Sequence, residues 1–451
     1  MKQIKFLSLI LAALLLAGCG NDEPTAEPID PADAVITITT SAFSIDNAAG
    51  SKTTATFTVN ADWTISVSYE GDAQGWLSVM PQSGSAGEDI VITLKAIIKN
   101  ASDANRIAYV NIRYANKTHR LKITQTIDPN IDITARFDAE FAKILKERGY
   151  IPNAENIKFS DVKDIKKVDV SNSSQRGNLT TLAGIEYFSA LNTLNCRLNE
   201  LTDLDVNKNM ALTYLNCDFN QLTALDVSKN TALTYLSCTF NQLTALDVSN
   251  NTALTFLSCS GNQLAALDVS KNTALTGLGC CNNKLTALDI SKNTALTDLA
   301  CYDNLLTALD VGKNMALNSL HCFDNQLTAL DVSKNTALTD LRCSNNLLTT
   351  LDISKNTALT FLHCSGNQLT ALDVSKNTAL NDLYCYDNQL TALDISKNTA
   401  LKWLYCDRNP GNGTVFPVTA WFDNSSVPNG FTTGSWDYNG NTISIDYIKE
   451  N

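Results

Sequence analysis

The amino-acid sequence predicts a mainly β fold, in which a small β-sandwich is followed by a long solenoid of short repeats. Three observations lead to this prediction. Between Leu191 and Asn409, similar segments of 21 residues follow one another without interruption. Ahead of them, residues 34–126 contain short runs in which apolar and polar side chains alternate, as on half-buried strands. The chain has 451 residues, which is enough for two or three domains.

Composition and charge narrow the classes of partner. Charged residues make up 18% of the chain and hydrophobic residues 44%, a mixture typical of a folded protein rather than a disordered one. Acidic residues outnumber basic ones by 46 to 34, which gives a formal net charge of −12. Because an acidic surface repels phosphate groups, the sequence argues against nucleic acid as a partner.

The first residues are typical of an export signal. A positively charged start precedes an apolar run at residues 6–17, which has the length of a signal-peptide core and is short for a membrane span. The letters LAGC at residues 16–19 resemble the lipobox of bacterial lipoproteins. This resemblance implies removal of a signal peptide, residues 1–18, and acylation of Cys19, whose lipid would anchor the protein to a membrane.

The stretch after this cysteine, residues 19–33, contains several prolines and acidic side chains and is expected to be a linker. Asp22 and Glu23 resemble the acidic signal with which some Gram-negative lipoproteins are displayed on the outer face of the cell. The likeness implies an outer-membrane lipoprotein that is exposed on the cell surface.

Residues 34–126 are expected to form the β-sandwich, because runs such as VITITT at 35–40 are separated by glycine and asparagine. The segment resembles the BACON domain of bacterial surface proteins, which implies an immunoglobulin-like sandwich that either binds carbohydrate or mucin or acts as a spacer. Trp63 and Trp76 are expected to be core residues. The matching motifs are Asn60 to Thr64, Trp76 to Val79, Pro81 to Gly84, Arg106 and Ile123 to Gln125.

Residues 127–164 carry apolar side chains at helical spacing, with charges between them. We expect a helix that covers the N-terminal end of the solenoid, with Thr134 as the capping residue at its start and Gly149 at its end. Residues 165–190 then form a degenerate first repeat.

The repeat is the strongest feature of the sequence. One copy, residues 212–232, reads LTYLNCDFNQLTALDVSKNTA, and an eleventh, incomplete copy breaks off at Asn409. The spacing of leucine and asparagine resembles that of leucine-rich repeats, and in particular the 21-residue repeat of internalin-like proteins. The resemblance covers residues 165–409 and implies a solenoid with one short strand per repeat.

Each copy supplies apolar side chains to a core that it shares with its neighbours. Ordering 21 backbone units costs more free energy than these groups return, so one copy cannot fold alone and both ends of the stack need caps. Asn220 is expected to turn the chain after the strand, within a ladder of asparagine side chains. The inward-pointing residues of this copy are Leu212, Leu215, Cys217, Leu222, Leu225 and Val227.

Thirteen cysteines in an exported protein raise the question of disulfide bonds. Apart from Cys19, eleven of them occupy one inward-pointing position of the repeat, where parallel side chains do not suit disulfide geometry. We interpret them as small buried hydrophobic groups, with metal-thiolate or redox chemistry as the alternative. Cys281 is the exception, because its place in the repeat predicts an outward-facing free thiol.

Motifs that carry catalytic chemistry are sparse. Serine and cysteine do not stand in a triad-like pattern with histidine and aspartate, and His321 and His363 fall two repeats apart, about 10 Å. Asp226, Ser228 and Asn230 alternate as in some calcium loops, but one carboxylate per copy favours a side-chain-bonded turn. The sequence therefore predicts a protein that is not an enzyme, with neither a metal site nor a cofactor.

In leucine-rich repeats the variable strand positions line the concave face, so the resemblance places binding at the third, fifth, seventh and eighth residues of each copy. Aromatic side chains occur there beside polar ones, a combination typical of protein recognition and also suited to stacking sugars. Cross-strand stacking that only stabilises the sheet is the alternative, above all for Phe219 and Phe240. The candidate binding residues are Tyr214, Tyr235, Phe256, His321, Arg342, Phe361, His363, Tyr384, Tyr386, Trp403 and Tyr405.

Residues 410–451 are rich in glycine, asparagine and aromatic side chains and end in an alternating run. This pattern predicts a β-hairpin that covers the last repeat. Trp421 and Trp436 are expected to supply the covering surface.

These observations favour a binding function at a surface. The first hypothesis is a membrane-anchored adhesion or recognition module that binds a host or bacterial protein through the concave face. The second is capture of a carbohydrate or mucin glycan by the BACON-like domain or by the repeat aromatics. The third is a structural role, in which the BACON-like domain spaces the repeats from the membrane.

Overall fold

The structure is a computed structural model that describes residues 30–173 and 175–450. The described residues divide into two compact units, of which the first ends at Asp128 and the second begins at Pro129. The predicted signal peptide, residues 1–18, and the predicted lipidation site, Cys19, lie outside the described residues. None of the helices in the described part is both long and apolar enough to cross a bilayer.

The N-terminal unit is a pair of β-sheets, preceded by a 3-10 turn at Pro31–Asp33. Within residues 30–128 its strands are β1 (Ile36–Thr37), β2 (Ala42–Ile45), β3 (Lys52–Val59), β4 (Trp63–Tyr69), β5 (Leu77–Met80), β6 (Ser83–Gly84), β7 (Gly87–Ala96), β8 (Arg106–Tyr114) and β9 (Lys117–Gln125). One sheet has the order β1-β3-β7-β5 and the other β2-β9-β8-β4-β6. The predicted N-terminal β domain is thus confirmed.

Alternation along the strands builds the core of this unit. On β3 the side chains of Ala55, Phe57 and Val59 point inward, while the threonines between them are more exposed. Phe57 packs edge-on against Trp63, with ring centroids 5.2 Å apart. Trp63 and Trp76 are buried, as expected for core residues, so neither presents a ring face to a ligand.

A short helical segment opens the second unit. It consists of a 3-10 turn at Thr134–Arg136 and the helices α1 (Ala139–Glu147) and α2 (Phe159–Val162). Phe141 and Leu145 of α1 are buried in the core that runs through the solenoid, so this segment covers its N-terminal end. Gly149 follows α1 in a left-handed conformation with φ +76°.

The expectation that Thr134 caps this helix is wrong. Asp138 stands at the cap, and its Oδ1 accepts hydrogen bonds from the backbone nitrogens of Glu140 and Phe141 at 3.1 and 2.9 Å. Thr134 instead belongs to the preceding 3-10 turn, where its hydroxyl accepts a hydrogen bond from the nitrogen of Ile157 at 2.7 Å. An aspartate directly before the first amphipathic turn is therefore the better capping acceptor.

The repeats form one parallel sheet. In the described residues it has twelve strands, in chain order except for one inserted strand, β21 (Leu393–Asp394), which lies outside it. The strands are β10 (Lys167–Asp169), β11 (Thr193–Asn195), β12 (Tyr214–Asn216), β13 (Tyr235–Ser237), β14 (Phe256–Ser258), β15 (Gly277–Gly279), β16 (Asp298–Ala300), β17 (Ser319–His321), β18 (Asp340–Arg342), β19 (Phe361–His363), β20 (Asp382–Tyr384) and β22 (Trp403–Tyr405). Corresponding residues of successive repeats pair directly, so the 21-residue period winds into a continuous coil.

Two ladders of buried asparagine join the coils. In the first, Asn304 donates through Nδ2 to the carbonyls of Cys280 and Cys301 at 3.0 and 3.1 Å, and its Oδ1 accepts from the nitrogen of Leu285 at 3.0 Å. In the second, Asn293 donates to Val269 and to the previous ladder member at 3.0 and 2.9 Å. The expected asparagine ladder is present, and the sequence did not predict the second one.

The DVSKNT segment forms a side-chain-bonded turn, as the sequence favoured. Asp226 Oδ1 accepts a hydrogen bond from the nitrogen of Ser228 at 2.9 Å, and Asn230 is buried in the second ladder. In the described ranges no group of three His, Cys, Asp or Glu side chains is arranged to bind a metal ion.

The repeat cysteines are free, buried thiols. Cys217 donates a hydrogen bond from Sγ to the carbonyl of Ser237 in the next coil, at 3.5 Å. Burial raises the pKa of Cys259, and likewise that of Cys343, to about 12, so these thiols stay protonated at neutral pH.

Cys281 is a free thiol as expected, but the expectation that it is exposed on the outward side is wrong. Only 3% of its surface is exposed, and burial raises the pKa of its thiol. The reason is the neighbouring coils, because Ser260 on one side and Tyr302 on the other contact the thiol. A small side chain at a variable position is thus buried when the side chains at the same position of the two adjacent repeats cover it.

The C-terminal segment closes the other end of the coil with a small sheet of order β21-β23-β25-β24. Its remaining strands are β23 (Val415–Ala420), β24 (Ser435–Tyr438) and β25 (Asn441–Lys449). β24 and β25 are the expected hairpin, whereas β23 pairs in parallel with β25 and with the last complete repeat. Phe431 also bridges to Leu404, so residues 430–432 continue the parallel sheet beyond β22.

Candidate binding surface on the strand face

Direct pairing of the strands sorts the outward side chains into columns. We name each column by the place of its residues in the repeat, counted from the leucine that begins the copy. Tyr214, Tyr235 and Phe256 share the third column, whereas His321, Arg342 and His363 share the fifth. The structure therefore brings these two sets together as the sequence predicts.

The early third column is a closed stack of rings. Tyr214 and Tyr235 lie 4.4 Å apart at 9°, and Tyr235 and Phe256 lie 4.7 Å apart at 7°. The last ring rests on Gly277, where an added Cβ would meet it at 2.9 Å. Because the ring faces are covered by each other, this stack offers edges and tyrosine hydroxyls to a partner and suits sugar stacking poorly.

The eighth column adds a second short stack. Phe219 and Phe240 lie 4.7 Å apart, and both have left-handed backbone, with φ of +56° and +52°. Glycine, asparagine or aspartate takes this position in most later repeats, because left-handed backbone is costly for other residues. Stacking compensates part of that cost, which supports the expectation that this pair stabilises the sheet.

Polar groups in the middle of the face are already paired. Arg342 bonds the carboxylate of Asp340 through Nε and Nη2, both at 3.0 Å, and its guanidinium lies 4.4 Å from the centre of the Phe361 ring. His321 Nε2 lies 3.1 Å from the same carboxylate. Burial alone would raise the pKa of Asp340, but the hydrogen bonds from Arg342 and His321 outweigh it and hold the pKa below its usual value. This network stabilises the sheet and leaves these side chains little hydrogen-bonding capacity for a ligand.

His363 occupies the fifth column two coils after His321. Its Nε2 lies 2.7 Å from the hydroxyl of Ser365. Burial, together with the nearby charge of Arg342, lowers the pKa of His363. The imidazole is therefore a neutral hydrogen-bonding group at physiological pH.

The late candidate residues converge around Tyr384. Its ring stacks on Tyr405 at 5.1 Å and 5°, and it also contacts Phe361 at 5.5 Å and His363 at 5.2 Å. Trp403 and Tyr405 are the most exposed members, with 47% and 39% of their surface accessible. In contrast to the early stack, large ring surfaces here are open to solvent.

A cavity of about 700 Å³ adjoins this cluster. Its walls come from the last repeats, with His363, Tyr384, Tyr386 and Tyr405, and from the C-terminal segment, with Phe431 and Trp436. Trp436 is held by a hydrogen bond from its Nε1 to the carbonyl of Asn409 at 2.9 Å. Trp436 was expected to cover the last repeat, but the sequence did not predict that the C-terminal segment forms a wall of a cavity, since these residues lie outside the repeat.

Trp403 lies beside this cavity rather than in its wall. Its ring rests on Gly430, where an added Cβ would meet the ring at 2.6 Å. The sequence analysis also did not predict that Tyr302 stacks on Phe323 in the seventh column, with ring centroids 4.2 Å apart and an angle of 8° between the ring planes. The 21-residue spacing of these two rings was the signal that would have revealed it.

Comparison with known proteins agrees with this architecture. Residues 35–128 match the family described as the viral BACON domain. The chain is similar to the functional domain of InlJ from Listeria monocytogenes, a structure described as including a cysteine ladder, with 40% identity, a TM-score of 0.59 and 63% of each chain covered. The chain thus spans less than two thirds of that domain. No curated protein matches the chain in sequence.

Two further solved structures are similar at lower levels. YopM from Yersinia pestis, described as a leucine-rich effector protein, has 25% identity and a TM-score of 0.44, over 52% of this chain and 70% of that one. Internalin C2 from Listeria monocytogenes has 18% identity and a TM-score of 0.39, over 56% of this chain and 96% of that one.

Residues 35–128 are therefore similar to the BACON family, and the repeats form a leucine-rich-repeat solenoid similar to the InlJ domain. The stacked repeats of such a solenoid present an extended surface.

Proposed function

We propose that this chain is a surface-anchored recognition protein, which binds a protein on a host or bacterial surface through the late part of its strand face. The observation that supports the proposal is the open cluster around Tyr384, Trp403 and Tyr405 beside a cavity of about 700 Å³. Tyrosine and tryptophan at the centre of a surface are the residues that dominate protein binding energies. We also propose that the chain is not an enzyme.

A binding panel of surface proteins tests this proposal. We expect the full chain to bind at least one of them, and the triple variant Y384A/W403A/Y405A to lose at least tenfold in affinity, since each is a potential hot spot. The matched control replaces Thr349, Thr370 and Thr391 by alanine, because these threonines are exposed at the twelfth position of nearby repeats. A folded triple aromatic variant that binds as well as the control would reject the site.

The proposal includes anchoring by a lipid on Cys19 and display on the outer face of the outer membrane. The motif at residues 16–19 and the acidic pair after it support this part. Metabolic labelling with a palmitate analogue should mark the chain and fail to mark C19A. Protease treatment of intact cells should remove the protein, whereas protection from protease would place it inside and contradict the surface role.

Glycan capture is the second candidate function. The cavity favours it, because tyrosine hydroxyls and Asp407 in its wall are suitable partners for sugar hydroxyls. A glycan array probed with the full chain and with Y405A tests this function. Signals that vanish in the variant would support it, and an array without signals would reject it.

For the BACON domain we propose a spacer role. The burial of Trp63 and Trp76 supports it, since the two tryptophans that a sugar site would use are in the core. Deletion of residues 34–126 should leave binding to the partner unchanged in solution. A loss of binding in that variant would assign the domain a direct part.

A further inference from the structure

Three arginines of the strand face share one arrangement, in which a guanidinium lies over an aromatic ring beside a carboxylate. Arg342 lies over Phe361 at 4.4 Å and bonds Asp340. Arg408 lies 5.0 Å from the centre of the Tyr386 ring and forms ion pairs with two aspartates, at 3.3 and 3.1 Å. The third set consists of Arg197 over Phe219 at 5.0 Å, with the charge of Asp218 nearby.

The first of these sets recurs two coils later without its arginine. Asp340 and Phe361 are direct neighbours in the third column, and so are Asp382 and Trp403. In the fifth column, however, Tyr384 stands where Arg342 stands in the earlier set. A carboxylate and an aromatic ring are thus held in the same register, and a tyrosine takes the place of the arginine that joins them in the earlier set.

The surroundings of the two carboxylates confirm this difference. Asp340 accepts hydrogen bonds from His321 and Arg342, which lower its pKa. Asp382 has no hydrogen-bond or ion-pair partner among the described residues, and burial raises its pKa, although the charge of Lys402 acts in the opposite direction. Lys402 therefore offsets only part of the desolvation cost of this half-buried carboxylate, and a second cation close to it would reduce the rest.

The rings near Asp382 also suit a cation. Trp403 has 47% of its surface accessible, and one part of its ring rests on Gly430. Phe361 lies one coil before Asp382, so the two rings are separated by two strand spacings, about 9.6 Å. A planar group above Asp382 would then lie within about 6 Å of a ring, the range of a cation–π interaction.

We propose that Asp382 and Trp403 form a receptor for a guanidinium group, the side chain of an arginine that the partner protein presents. This inference rests on the proposed protein-binding function and names the chemistry of one contact within it. The carboxylate supplies two acceptors for the planar fork of donors, and the indole supplies a π face. A lysine ammonium matches the charge but not the fork, so arginine is preferred.

Two short peptides test the proposal on the full chain. Acetyl-Gly-Arg-Gly amide carries the guanidinium, and the citrulline peptide of the same shape lacks the charge. We expect the arginine peptide to bind about fivefold more tightly in fluorescence anisotropy or saturation-transfer NMR, because an ion pair and a cation–π contact each add a modest free energy.

Three variants locate the effect. D382N should abolish the preference for arginine over citrulline. Y384R should abolish it as well, because it places a guanidinium from the chain itself beside Asp382, as Arg342 does beside Asp340. D298N is the matched control, because Asp298 lies in the same column but pairs with Gly277 and Ser319, which carry no ring. The preference for arginine should persist in this variant. Thermal melting verifies that each variant is folded.

A wild-type chain that does not prefer arginine would overturn the inference, and so would a preference that survives D382N and Y384R. Both results leave the protein-binding proposal standing if the triple aromatic variant still loses its partner. Conversely, an arginine preference without any surface-protein partner would support the receptor and reject the proposed function.

Discussion

Single asparagine side chains hold successive coils of the solenoid together, and the two ladders do so unequally. Asn304 uses both ends of its amide, while the Oδ1 of Asn293 is buried without a partner in the described part of the chain. Removing the amide of Asn304 leaves several buried backbone groups unpaired, whereas removing that of Asn293 also removes an unpaired oxygen.

We therefore expect N304A to lower the free energy of unfolding by about 3 kcal/mol and N293A by about half as much. Urea unfolding of the two variants and the wild type measures the difference. Equal losses, or a larger loss for N293A, would show that the unpaired oxygen is satisfied in solution.

The thiols should be inert in the folded chain. All described cysteines, including Cys281, are buried, and burial raises the pKa of Cys406 to about 12. We expect Ellman's reagent at pH 8 to modify them only at the rate of unfolding, and to modify all of them in urea. If one thiol reacted rapidly in the native protein and this reaction were lost in C281A, Cys281 would be exposed, which would contradict its burial.

His363 should make stability depend on pH. Because burial lowers its pKa below the unfolded value of about 6.5, the unfolded chain takes up the proton first as the pH falls. Stability attributable to this histidine is thus fully present above that value and decreases as the pH falls toward the folded pKa. We expect H363Q to lose less stability than the wild type between pH 7.5 and 5.5, measured by urea unfolding. Identical losses would contradict the assignment.

At the scale of elements, the C-terminal segment does more than end the coil. Residues 430–432 extend the parallel sheet, and Gly430, with φ +89°, supports the ring of Trp403. Gly434 has nearly the same φ, +87°, but faces open space. The two glycines therefore separate the effect of backbone strain from that of close contacts, which at Gly430 are the Trp403 ring and the backbone oxygen of Lys402.

We expect G430A to displace Trp403 and to reduce binding of the arginine peptide, because its new methyl group would overlap the indole and the backbone oxygen of Lys402. G434A should cost a similar backbone strain, about 1 kcal/mol, and leave binding unchanged. Melting temperatures and peptide binding of both variants are the measurements. Equal binding by the two would show that Gly430 does not position the ring.

The elements differ in how far the sequence predicted them. The strands, columns and buried leucines followed from the period, because each repeat sees the same neighbours. The N-terminal capping residue of α1 was predicted wrongly, because Thr134 and Asp138 both suit a helix start and tertiary contacts decided between them. The cavity wall formed by Phe431 and Trp436 could not be predicted, because these residues lie outside the repeat and their contact with the Tyr384 region depends on tertiary packing.

For the molecule as a whole, repetition provides the scaffold and irregularity provides the site. Residues that repeat bury their side chains in one core from α1 to β25. The late face differs from that pattern through clustered rings, through the carboxylate of Asp382, which has no hydrogen-bond or ion-pair partner among the described residues, and through a cavity bordered by the C-terminal segment. A partner that recognises these irregular features would bind one end of the strand face rather than the full row of repeats.

Site-specific photo-crosslinking tests this account most directly. A benzophenone amino acid replaces Trp403 in one full-length chain and Thr370, an exposed residue of the repeat turn, in another. Each chain is irradiated with the surface protein that binds in the panel. The account expects the partner to be captured from position 403 and not from 370. Capture from 370 with none from 403 would place the partner elsewhere and contradict the central claim.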